Sequence, residues 1–129
     1  MRSNFALSLA ALLSICFNSV AFADGLDTDR FKIATLSEQQ ITDAVADWIR
    51  ANGDGCSIIF SRESSNRMED DVSATLFTMI GTEEENWSIL RDTLDVKVDD
   101  VMDSAMENGV FKVDFRGETA FVTIDKCEE

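Results

Sequence analysis

The C-terminal part of the sequence contains two short runs in which apolar and polar residues alternate. The first run covers residues 111–115 and the second covers residues 120–125, with Gly117 in the link between them. Side chains of a β-strand point alternately to its two faces, so this pattern predicts a β-hairpin with one apolar face. We expect that face to bring the following side chains into the core: Phe111, Val113, Phe115, Val122 and Ile124.

Apolar residues at helical spacing dominate the sequence before the hairpin. The predicted elements are a helix that begins after Ser37 and ends near Asn52, a strand over residues 56–61, and helices over residues 68–80, 83–94 and 98–108. Ser37 with Gln40, and Thr82 with Glu85, have the spacing of capping boxes at two of the helix starts. Residues 24–30 are polar and predict a loose segment. The sequence therefore predicts the α+β class, in the order α-β-α-α-α-β-β, with a small antiparallel sheet.

The N-terminal residues have the pattern of a secretory signal. Arg2 precedes an apolar run over residues 5–17, and Ala21-Phe22-Ala23 provides the small residues that a signal peptidase requires. The run is too short to span a bilayer. We expect cleavage after Ala23, which leaves residues 24–129 as one domain in the bacterial periplasm or outside the cell, with no membrane insertion. An N-terminal anchor, or lipidation at Cys16, are the alternatives.

Two cysteines lie outside the predicted signal. Cys56 and Cys127 would meet an oxidising compartment after export, where a pair of cysteines most simply forms a disulfide. The alternative is a pair of thiols that bind a metal or carry out redox chemistry. The chain has no Cys-x-x-Cys and no histidine to complete a zinc site.

The composition restricts the chemistry further. The chain has 25 acidic residues against 11 lysines and arginines, a formal net charge of −14, and it has neither His nor Tyr. Its charge opposes binding to phosphate backbones and anionic lipids, and the missing histidines exclude Ser-His-Asp, Cys-His and His–metal sites. Residues 52–55 resemble part of a calcium loop, but Arg50 and Ser61 occupy ligand positions of that loop. We expect no cofactor and no metal.

Residues 83–125 resemble a winged helix-turn-helix. The helix over residues 83–94, a turn at Asp95 to Lys97, the helix over residues 98–108 and a wing over residues 111–125 follow in the order of that fold. The family usually has Gly where Asp95 lies and Ser or Thr where Lys97 lies, so one continuous helix is the alternative. The resemblance implies that the strand near Cys56 pairs antiparallel with the last wing strand. That pairing would bring Cys56 and Cys127 together.

The helix that such a fold would place in a DNA groove is acidic. We expect its exposed side to carry Asp99, Asp100, Asp103 and Glu107, which would repel phosphates. We therefore expect no nucleic-acid partner, and we take these residues as a candidate surface for a basic protein.

The sequence favours an exported, non-catalytic protein-interaction module, such as an inhibitor, an immunity protein or an envelope assembly factor. Its acidic runs at residues 69–71, 83–85 and 99–100 also allow a small carboxylate-dependent hydrolase that acts on an envelope polymer. The same carboxylates fit a solvated surface with negative charge at helix starts. A structural or stress protein without a dedicated site is the third alternative.

Overall fold

A computed structural model describes residues 25–125 and 127, and the predicted signal and its cleavage site lie outside these residues. A first helix, α1, covers residues 25–35. The elements after it are α2 (Glu38–Asn52), β1 (Ser57–Phe60), α3 (Arg62–Ile80), a 3-10 turn (Glu84–Asn86), α4 (Trp87–Glu107), β2 (Phe111–Arg116) and β3 (Thr119–Ile124). The predicted α+β class and the order of elements are confirmed. No helix in the described part of the chain is both long and apolar enough to cross a membrane.

The prediction of a loose segment over residues 24–30 is wrong for the residues that the structure describes. Residues 25–30 belong to α1, whose end contributes Ile33 to the core, and Leu36 follows the helix and is buried as well; 1% and 4% of their surfaces are exposed. The capping box at the start of α2 is confirmed. The backbone N–H of Gln40 donates to Ser37 Oγ over 3.0 Å, and Ser37 N–H donates to Gln40 Oε1 over 2.9 Å.

The end of α2 lies very close to β1. Gly53 follows the helix, and a β-carbon at this position would collide with the backbone carbonyl of Ser57 and lie 2.8 Å from the carbonyl oxygen of Ile49. Glycine is therefore required by the space between these two elements rather than by an unusual backbone angle. This close approach fixes the start of β1 against the helix end.

The predicted turn at Asp95 to Lys97 is wrong, because α4 passes through these residues as one helix. Leu94, Val98 and Val101 are all buried, so one apolar stripe continues across the position of the expected turn. The predicted capping box of Thr82 with Glu85 is also wrong. The Thr82 hydroxyl instead donates to the Phe77 carbonyl and accepts from the Trp87 indole N–H, both over 3.0 Å. These bonds fasten the end of α3 to the start of α4.

The sheet has the strand order β1-β3-β2, with both pairings antiparallel, so the last strand of the chain is the central one. Gly117 has a φ of 65° in the tight turn between β2 and β3, a conformation that hairpin turns of this length need and that glycine adopts without strain. The side chains that the sheet buries against the helices are Ile58, Phe111, Val122 and Ile124. The expectation for Phe115 is wrong: it is 77% exposed, because it lies beside the turn at the hairpin tip.

The two described cysteines meet at one end of the sheet. Cys56 immediately precedes β1, and its carbonyl accepts a hydrogen bond of 2.8 Å from the Ile124 N–H at the end of β3. The structure places Cys56 and Cys127 at disulfide distance, with their Cα atoms 6.0 Å apart, as the sequence predicts. The two cysteines are 71 positions apart in the sequence, and a bond between them would join the start of β1 to the end of the hairpin.

Candidate functional site

The carboxylates predicted as a partner-binding surface lie together on α4. All four are exposed, while Val98, Val101 and Ala105 of the same helix are buried against the core. The predicted division of this helix into an apolar and an acidic side is therefore present in the structure. We refer to the exposed side as the acidic surface, and it consists of Asp99, Asp100, Asp103 and Glu107.

The acidic surface has no positive charge to balance it within the described residues. Among the described residues, no lysine or arginine nitrogen lies within 4.0 Å of a carboxylate of the acidic surface. By contrast, Asp95, one turn earlier on α4, pairs with Arg91 over 3.0 Å, and Arg91 also reaches Asp70 of α3 over 2.8 Å. Partial burial raises the pKa of Asp99, and so do the negative charges of Asp95, Asp103 and Asp100. The acidic surface is thus a site of net repulsion.

Carboxylates also line a cavity between α3 and α4, but this cavity is small. Glu69, Asp95 and Asp99 border it, and its volume is about 30 Å³. Such a space holds about one water molecule and is far too small for a polymer unit. Within the described residues, no group of three or more potential ligand side chains is arranged to hold a metal ion.

Residues 52–55, which resemble part of a calcium loop, have a structural explanation. Asp54 and Ser57 exchange backbone hydrogen bonds of 2.8 and 3.3 Å, and the Asn52 side chain donates to the Trp48 carbonyl over 2.9 Å. The segment is therefore a helix end followed by a tight turn into β1.

A larger groove of about 450 Å³ lies beside β1, and the sequence analysis missed it. We call it the β1 groove, and its lining includes Gly53, Ser57, Ile59, Ser64, Arg67 and Phe121. It contains one carboxylate, that of Asp54. Ile59 is 53% exposed in it, although the run Ile58-Ile59-Phe60 suggests a strand centre. A continuous apolar run gives no sign of which side chain faces outward, so only the position of β1 at the sheet edge reveals the groove.

A buried carboxylate on α1 was also missed. Asp29 of α1 is 2% exposed, and its Oδ2 accepts hydrogen bonds from the Glu83 N–H over 3.0 Å and the Asn86 side-chain amide over 2.9 Å. Burial alone would raise the pKa of Asp29. The hydrogen bonds from Asn86 and Glu83, together with the charge of Lys32 at 3.6 Å, outweigh the effect of burial, so the pKa of Asp29 is lowered. Asp29 therefore fastens α1 to the connection between α3 and α4.

Comparison of the chain with protein-family models, with curated proteins and with solved structures finds no match. The inference of a function therefore rests on the charge and shape of the surfaces described above.

Proposed function

We propose that this protein is an exported, non-catalytic protein-interaction module whose acidic surface binds a basic partner protein. The observation that carries this proposal is the group of exposed carboxylates on α4, which no cation within the described residues neutralises. An inhibitor, an immunity protein or an envelope assembly factor would use such a surface. The disulfide-distance pair of Cys56 and Cys127 is compatible with an extracellular location, since disulfides persist in oxidising compartments.

The energetics of α4 support a role for this surface beyond folding. Asp99 and Asp103 are four residues apart, as are Asp103 and Glu107. Like charges at this spacing destabilise a helix by about 0.2–0.5 kcal/mol for each pair. The contacts of α4 with the core do not require the four carboxylates, so the fold gains nothing from their position. A basic partner would remove the repulsion, and its association rate would fall steeply as salt screens the charges.

The test uses two variants that each remove three negative charges. The first carries Asp99→Asn, Asp103→Asn and Glu107→Gln, and the matched control carries Glu83→Gln, Glu84→Gln and Glu85→Gln. Cross-linking in envelope extract with the oxidised protein as bait would identify a partner, and binding of the purified pair would then be measured against salt concentration. We expect the wild type and the control to bind alike, and the α4 variant to lose most of its association rate at low salt.

Two results would count against the proposal. Equal binding by the α4 variant at low salt would show that the acidic surface is not the binding site. A loss of protein solubility that is the same in both variants, with no partner that distinguishes them, would show that these carboxylates act only through net charge. Both variants should keep the wild-type circular dichroism spectrum, because all six side chains are exposed.

A further inference from the structure

The strand β1 pairs with β3 along one edge, and among the described residues its other edge has a backbone partner at Ser57 but is open at Ile59. In an antiparallel strand, alternate residues direct their backbone groups to opposite sides. The Cys56 carbonyl accepts from Ile124 on the β3 side, whereas Ser57 exchanges hydrogen bonds with Asp54 on the other side. Ile59 therefore directs its N–H and C=O away from β3, and neither group has a backbone partner among the described residues.

The β1 groove runs along this open edge and has an apolar floor. Ile59 and Phe121 are cross-strand neighbours on the outer face of the sheet, and both border the groove. The Arg116 guanidinium lies 4.7 Å from the centre of the Phe121 ring and covers one side of it. A ligand in the groove would thus meet an open strand edge and an apolar surface at the same time.

The charge of the groove differs from that of the rest of the molecule. Arg67 lines the groove together with Asp54, and Arg62 lines the neighbouring cavity together with Ser61, Glu118 and Thr119. Neither arginine has a carboxylate within 4.0 Å among the described residues, although the chain has 25 acidic residues. The other described arginines each have such a partner: Arg30, Arg50, Arg91 and Arg116. Among the described residues, each of these two cavities therefore has one arginine and one carboxylate that do not form an ion pair, so Arg67 and Arg62 can each pair with an acidic ligand.

We propose that the β1 groove binds an extended peptide segment of a partner protein, which adds a strand to the open edge of β1. The segment places an acidic side chain near Arg67 and an apolar side chain over Ile59 and Phe121. Strand addition supplies the missing donor and acceptor for the Ile59 backbone, and the alternate side chains supply specificity. A second copy of this chain fits less well, because each copy has a formal net charge of −14. The proposal does not depend on the acidic surface.

The experiment titrates the oxidised, isotopically labelled protein with three seven-residue peptides that are blocked at both ends. The first alternates valine and glutamate, the second alternates valine and lysine, and the third is the glutamate peptide with alternate backbone amides N-methylated. We expect the glutamate peptide to shift the NMR signals of Gly53, Ile59 and Arg67 and to bind at least about tenfold more tightly than the lysine peptide. N-methylation removes the backbone donors and should abolish binding.

Variants of exposed residues test the contacts individually. Arg67→Gln should remove the preference for glutamate over lysine, while Arg50→Gln, on the exposed side of α2, should leave it unchanged. Ile59→Lys should prevent binding without unfolding, since Ile59 is 53% exposed. Equal binding of the two charged peptides, or no shifts at the groove at millimolar peptide, would overturn the proposal. So would a dimer seen by sedimentation that Ile59→Lys abolishes, because the second copy would then be the occupant.

Discussion

Helix α1 and the C-terminal hairpin both cover the core, but they are held there by different kinds of contact. The hairpin is fixed by backbone pairing of β3 on both sides, and its end lies at disulfide distance from the start of β1, through Cys127 and Cys56. In addition to its buried apolar residues, α1 is held by single side chains. Asp29 accepts from Glu83 and Asn86, and Lys97 of α4 donates to the carbonyls of Ile33 and Ala34 over 2.9 and 2.7 Å.

Because of this difference, we expect substitutions and changes of pH to affect the two regions differently. The backbone ladder of the hairpin does not depend on any one side chain, and a disulfide between Cys56 and Cys127 would have no group that titrates. The contacts of α1 depend on the charge of one aspartate and one lysine, so single substitutions and acid should loosen this helix first.

Removal of the hairpin should prevent folding. A chain that ends at Gly109 lacks Phe111, Val122 and Ile124, each of which contributes about 1.5–3 kcal/mol when buried. It also lacks Cys127 and the central strand of the sheet. These losses are comparable to the whole stability of a small domain, about 5–15 kcal/mol. A cooperative thermal transition in the shortened chain, followed by circular dichroism, would contradict this expectation.

Loss of the disulfide should have the next largest effect. In the chain-entropy model, a cross-link over the observed separation of 71 residues restricts the unfolded chain by roughly 4 kcal/mol. The double variant Cys56→Ser and Cys127→Ser should therefore lose roughly that much free energy of unfolding in urea. Wild-type protein under reducing conditions should match the variant, while an addition of reductant to the variant should change nothing. Free thiols in untreated exported protein, detected by alkylation and mass spectrometry, would show that the bond does not form.

Substitution of Asp29 should weaken the attachment of α1. Asp29→Asn removes a buried negative charge and leaves the donors of Glu83 and Asn86 with a weaker acceptor, so we expect a loss of about 1–3 kcal/mol in the free energy of unfolding. Asp27→Asn on the same helix removes an exposed charge and is the matched control, with an expected loss below about 0.5 kcal/mol. Hydrogen exchange should locate the loosening in residues 25–35. An equal loss in both variants would show that Asp29 has no special role.

The same substitution has a defined pH dependence. The folded protein lowers the pKa of Asp29, so the folded state prefers the ionised carboxylate. Its contribution is complete above the pKa of an unfolded aspartate, about 3.9, and is lost as the pH falls through the lower folded pKa. The difference in stability between the wild type and Asp29→Asn should therefore be constant near neutral pH and should shrink below about pH 4. A difference that grows in acid would contradict the assignment.

The contrast between the two regions also explains what could be predicted from the sequence. The alternation of apolar and polar residues around Gly117 predicts the hairpin because a two-residue period is typical of β-strands. The two cysteines add a constraint, since a disulfide requires the start of β1 to lie near the end of β3. The role of Asp29 could not be predicted, because it depends on a contact across 54 positions with the backbone of Glu83. The β1 groove was missed for a similar reason, since it arises where α2, α3 and β1 leave space between them. The turn at Asp95 to Lys97 was expected from the resemblance to a helix-turn-helix, and Lys97 in the place of the usual Ser or Thr was already the reason to consider one continuous helix. The sequence could not show that the Lys97 side chain extends to the end of α1.

The smallest effect is expected on the acidic surface, where the sign is opposite to that at Asp29. Asp103→Asn removes the repulsion of Asp103 with both Asp99 and Glu107, and should stabilise the protein by about 0.5 kcal/mol at neutral pH and low salt. Salt at about 1 M should remove most of this gain, because it shortens the range of the interaction to about 3 Å. The control is Glu118→Gln in the hairpin turn, which removes one exposed charge that is not on α4 and should have no effect of this size.

Acid should also remove that gain. The folded protein raises the pKa of Asp99, so the repulsion is fully present above the folded pKa and is relieved as the pH falls through it. The stability difference between Asp103→Asn and the wild type should therefore decline on acidification at a higher pH than the difference caused by Asp29→Asn. Urea unfolding of both variants across the acidic range would measure the two midpoints. Two results would contradict this expectation: destabilisation by Asp103→Asn, or a midpoint for Asp103→Asn at lower pH than that for Asp29→Asn. Either result would mean that contacts within the folded chain offset the repulsion between the carboxylates of α4.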